Sequence, residues 1–101
     1  MNVYLPSEAF DFLLRGNKAA ILPGDYHVNT GVVTFWDRRG ACTPETFEVN
    51  SVVRKLAGDI TFEEAFDAGF SLPSEALEAL RLLEDITELT PVTIVYFRSL
   101  L

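Results

Sequence analysis

The chain has 101 residues, 49% of them hydrophobic, and a formal charge of −7. That length holds one domain with one core, and the apolar content excludes a disordered linker. No apolar run approaches the ~20 residues that span a bilayer, the N-terminus lacks the basic and apolar regions of a signal peptide, and the lone Cys42 cannot close an internal disulfide, so a cytoplasmic protein without a membrane segment is expected.

Pro6-Ser7-Glu8 opens a first helix, with Ser7 as its cap and Glu8 in the first turn, where the helix dipole favours an acid. Ala9, Phe12 and Leu13 form its apolar stripe, and Phe10 and Leu14 lie at the edges. Gly16 stands as a left-handed stop, and Lys18 follows where the chain enters a short apolar strand over 19–22. Pro23-Gly24-Asp25 is a turn. Val28 and residues 31–37 read as strand, with Phe35 and Trp36 on opposite faces. Packing beneath a helix is the plainer reading of Trp36. The functional one exposes it beside Arg38 and Arg39, where it would stack a base.

Arg38-Arg39-Gly40 turns the chain into a return strand over 46–53, which puts Phe47, Val49, Ser51 and Val53 on one face. Pro44 marks an edge, a bulge or a loop just before it. Thr61 and Glu64 have capping-box spacing, so a short helix begins there and ends at Gly69. Pro73-Ser74 opens another helix with Ala76, Leu77, Leu80 and Leu83 on its apolar face. Residues 91–97 close the chain as a strand buried on both faces. This order predicts an α+β domain with a mostly antiparallel sheet and flanking helices.

Charge is unevenly placed. Residues 59–88 hold nine acids and one base, Arg81, leaving the rest of the chain at +1. A polyanion would therefore have to approach the other half, where Arg15, Lys18, Arg38, Arg39, Arg54 and Lys55 lie. His27 is the single histidine and no CxxC or HxxxH spacing exists, so no metal site is expected, and no cofactor motif is present.

Residues 12–18, a helix end followed by Gly16 and Lys18, and residues 60–70, an acidic helix ending in Gly69-Phe70, are expected to meet at one cleft. From about Ser7 to Phe97 the arrangement resembles the ASCH domain, a small barrel-like fold of the PUA-like group. The family motif GxKxxTxR reads here as Gly16 and Lys18, with Ile21 at the threonine position and Pro23 at the arginine position. The family's later helix ends in an acid followed by Gly-Phe, and here Ala68 precedes Gly69-Phe70. Small bacterial members remove the acetyl group from N4-acetylcytidine with a lysine, a threonine and a glutamate acting together. The resemblance implies a barrel-like sheet and a retained Lys18 without that chemistry, because Ile21 has no hydroxyl and Ala68 no proton-transfer group.

Three functions follow as expectations. The first is a non-catalytic module binding a nucleotide, RNA or a modified nucleoside near Lys18, with Arg15, Arg38, Arg39 and Trp36 as further contacts. The second is an acidic protein-interaction module that uses the 59–88 helices to meet a basic partner or to mimic nucleic acid, a role suited to a small phage protein. The third is an amidohydrolase with a rearranged site.

Overall fold

The computed structural model describes residues 1–83 and 86–99, so Glu84 and Asp85 of the acidic segment lie outside the described residues. The chain runs β1 (Asn2–Leu5), α1 (Ser7–Arg15), β2 (Ala19–Pro23), β3 (Gly31–Asp37), β4 (Glu45–Leu56), a 3-10 turn (Ala57–Asp59), α2 (Phe62–Asp67), α3 (Pro73–Arg81) and β5 (Pro91–Ser99). The five strands form one sheet in the order β1-β3-β4-β5-β2. The β1–β3 pair is parallel and the other three pairs are antiparallel. The fold is therefore α+β and mostly antiparallel, as the element order predicts.

The sheet does not close into a barrel: β1 and β2 are its opposite edges. Helix α1, which joins them in sequence, packs Ala9, Phe10 and Leu13 against Val3 and Leu5 of β1, Ala20 and Leu22 of β2, and Phe35, Val49 and Val95 between them. Helices α2 and α3 cover part of the other face, setting Ala65, Ala76 and Leu80 against Ala19, Ile21, Val92 and Ile94. Strands β2 and β5 are thus buried on both faces although β2 is an edge. Their nearly continuous apolar sequence, broken in β5 by the buried Thr93, follows from that double burial.

Several local expectations change in the structure. Pro6, not Ser7, is the N-cap of α1; the Ser7 hydroxyl instead donates to Asp37 Oδ1 at 2.9 Å. The Arg39 N–H donates to the same oxygen at 3.0 Å. This N–H, helped by Ser7 and opposed by burial, holds the Asp37 carboxyl below its ordinary range. The bonds tie the start of α1 to the turn after β3. Gly16 is extended (φ −72°, ψ 147°) rather than left-handed. Glycine is required there by close approach, since a Cβ would strike the Ala19 carbonyl. Val28 is buried in a loop and does not extend β3.

The return strand also departs from simple alternation. Val49 pairs with Phe97 and Ser51 with Tyr96, so Asn50 is an extra residue in β4. A bulge shifts the alternation by one. Phe47, Val49 and Val52 therefore pack on the α1 side, while Val53 turns to the α2–α3 side. The expected single face from Phe47 to Val53 is broken at Asn50.

Candidate functional site

Residues 12–18 and 60–70 do meet. The N–H groups of Asn17 and Lys18 both donate to the Asp67 carbonyl, at 3.0 and 3.1 Å. The Phe12 and Phe70 rings are 6.2 Å apart, and the Arg15 guanidinium lies 4.0 Å from the Phe70 ring centroid. Arg15 is thus engaged by a cation–π contact within the junction. Gly69, at φ +90°, ends α2 in the left-handed region, as its sequence position predicts.

Lys18 is exposed and borders an open depression of about 580 Å³ with Phe62, Glu63, Phe66, Asp67 and Ser71. Two carboxylates share this depression with one ammonium, which makes it unfavourable for a phosphate. Ile21 and Ala68, which the ASCH resemblance would set at the threonine and acid positions, are both 1% exposed in the core beneath α2 and α3. Neither position opens to solvent. Purified protein is therefore expected to release no cytidine from N4-acetylcytidine above the uncatalysed rate. Turnover that Lys18→Ala abolishes would show the opposite.

The other predicted residues lie on the far flank of the sheet. Trp36 is not under a helix: it is 36% exposed on the face of β3 that α2 and α3 leave bare. Tyr4 stands opposite it in the parallel register and is 56% exposed. Their rings stack at 6.1 Å between centroids and 20° between planes. The indole is held in place because Trp36 Nε1 donates to Asn2 Oδ1 at 3.1 Å. Arg38 donates to the Tyr4 carbonyl at 3.4 Å, which ties its guanidinium to the backbone of β1.

The same bare face continues across β3 and the first half of β4. Thr34 and Thr46 hydroxyls hydrogen-bond at 2.9 Å, and Val32 is exposed. In the register, Val32 faces Glu48, which in turn faces Arg98. Glu48 accepts two bonds from the Arg98 guanidinium, at 3.0 and 2.8 Å. The carboxylate on this face is thereby neutralised. Arg38 and Arg39 enter no salt bridge among the described residues. Of the six cations of this half, Arg54 pairs with Asp25 and Lys55 with Glu64, and the other four divide into two sets: Lys18 and Arg15 beside the β2 edge, and Arg38 and Arg39, with Trp36, beside the β1 edge.

Tyr4 was not legible as a site residue. Four residues cut off by Pro6 give little strand signal, and the pairing that places Tyr4 beside Trp36 is long-range. The alternation of Val3 and Leu5 inward with Asn2 and Tyr4 outward is the one local clue.

No protein-family model matches the chain, and neither a curated protein nor a solved structure matches it. Among the described residues, no group of three His, Cys, Asp or Glu side chains is arranged to hold a metal ion, and no helix is long and apolar enough to cross a membrane. Burial, and then the Asp37 carboxylate, push the Cys42 thiol up, away from the thiolate form a nucleophile needs.

Proposed function

We propose that the protein is a non-catalytic module for single-stranded nucleic acid, which it binds on the bare face of β1 and β3. The observation that carries this reading is the Tyr4–Trp36 pair: two exposed rings, one anchored by Asn2, on a strand whose Tyr4 carbonyl holds Arg38. Exposed aromatic rings on a sheet offer stacking to any base, and nearby arginines meet the phosphates. Charge placement supports the same face. Glu63, Glu64, Asp67, Glu75 and Glu78 lie on the helices over β2 and β5, whereas Glu48 on the bare face is neutralised by Arg98.

Within this reading the ASCH resemblance is one of scaffold. Gly16 and Gly69-Phe70 serve the junction between α1 and α2. Ligand contact moves from Lys18 to Trp36, Tyr4, Arg38 and Arg39.

A fluorescein-labelled single-stranded oligoribonucleotide should bind saturably, with an affinity that falls along a shallow salt slope, since only ~2–3 phosphates are neutralised. Trp36→Leu, and separately Arg38→Gln with Arg39→Gln, should each weaken binding by about tenfold. Glu75→Gln with Glu78→Gln should leave it equal or tighter. Binding unchanged by both the tryptophan and the arginine variants would place the ligand elsewhere.

A further inference from the structure

Helix α2 shows its aromatic residues to solvent and one of its three carboxylates, Glu64, to the core. Phe62 and Phe66, four residues apart on one stripe, are 68% and 70% exposed, while Glu64 and Ala65 are buried. This inverts the usual amphipathic pattern. The fold does not need the two rings: the inward face is completed by Ala65, by Ala68 and by Glu64 bonded to Lys55 at 2.8 Å. Glu63 and Asp67 each follow a phenylalanine and line the same depression, where Lys18 is the single cation among the described residues. Leu72, 45% exposed, follows just after the depression residue Ser71.

We propose that this surface docks a basic, amphipathic segment of a partner protein. An apolar side chain of that segment would seat between Phe62 and Phe66, and its Lys or Arg residues would meet Glu63 and Asp67. Charge complementarity selects this occupant. Residues 59–88 carry nine acids against one base, and with Glu64 paired inward to Lys55 the excess is still strongly negative, so the segment attracts a cationic chain and repels phosphate. It also repels a second copy of the protein, which carries the same −7. The apolar anchor distinguishes the proposal from general attraction to an acidic surface, because aromatic residues at the centre of a contact supply most of its affinity. The surface is separate from the Tyr4–Trp36 face, and it stands or falls independently of nucleic-acid binding.

The test uses a labelled synthetic helix with leucines on one face and lysines and arginines beside them, together with a version in which every cation is replaced by glutamate. The basic peptide should bind saturably and the acidic one should not. Phe62→Ser with Phe66→Ser should weaken binding by about tenfold or more, and Glu63→Gln with Asp67→Asn severalfold. Both pairs are at the surface, and circular dichroism of each variant checks that the fold is kept. Trp36→Leu should leave peptide affinity unchanged. Three results would overturn the proposal: no saturable binding of the basic peptide, equal binding to the phenylalanine double variant, or equal binding of the acidic peptide. Sedimentation showing a dimer that the phenylalanine variant dissolves would assign the surface to a second copy instead, and would equally overturn it.

Discussion

Glu64→Ala is expected to destabilise the fold by about 3 kcal/mol, because one carboxylate oxygen closes a helix cap and neutralises a mostly buried lysine. Glu64 Oε1 accepts from Lys55 Nζ at 2.8 Å and from the Thr61 N–H at 2.9 Å. The Glu64 N–H in turn donates to Thr61 Oγ1 at 3.2 Å, which completes the capping box. Alanine removes the acceptor and leaves the Lys55 ammonium, whose side chain is 21% exposed, with its 3.4 Å bond to the Asp59 carbonyl in place of the ion pair. For a domain of this size the loss corresponds to a fall of about 15 °C in melting temperature. Glu64→Gln keeps an acceptor for Thr61 and should fall less.

The same group makes stability depend on pH. Burial pushes the Glu64 carboxyl up, but Lys55 and the Thr61 donors outweigh it and hold the group below its ordinary range. A carboxyl lowered on folding contributes stability that is complete above the unfolded value, about 4.3, and is lost as pH falls through the folded value. Thermal melts across this acid range should show the wild type losing a stability increment that Glu64→Gln never had. Parallel curves for the two proteins would show that the ion pair contributes nothing.

Gly69→Ala should cost about 2–3 kcal/mol and should loosen the junction between α1 and α2. Gly69 has φ +90°, where side chains are disfavoured, and an added Cβ would lie 2.6 Å from the Arg15 carbonyl oxygen. That neighbour is backbone and cannot swing away. The strain falls on the contacts that join the two segments, namely the Asn17 and Lys18 bonds to Asp67 and the Arg15–Phe70 stacking. Gly40→Ala is the internal control. Gly40 also has positive φ, 70°, but nothing lies within 4 Å of its added Cβ. Its cost should stay near the ~1 kcal/mol of the backbone conformation alone. Equal losses from the two variants would refute close approach as the reason for glycine at Gly69.

Features written into neighbouring residues were legible in the sequence. The Thr61–Glu64 box, the stop at Gly69, the proline that opens α3 and the doubly buried β5 each depend on a few adjacent side chains. Features that depend on distant pairing were not. Four-residue β1 exists because β3 offers a parallel partner, and the extra residue at Asn50 shows only once β5 fixes the register. Ser7 has the chemistry of a cap, but Asp37, thirty positions away, claims its hydroxyl. The candidate site divides along the same line. Trp36, Arg38 and Arg39 are contiguous and could be named together, whereas Tyr4 joins them through the sheet alone. The carboxylates beside Lys18 became visible once α2 was placed against the end of α1.

Trp36 is the single tryptophan of the chain, so its fluorescence reports directly on the face proposed to bind nucleic acid. The decisive measurement is a titration of the wild-type protein with single-stranded RNA, following indole emission and the anisotropy of the labelled strand in parallel. Saturable quenching of Trp36 with the same midpoint as the anisotropy change, absent with a duplex of equal length, is the predicted result. Binding seen by anisotropy with Trp36 emission unchanged, or no binding at low salt, would contradict the account.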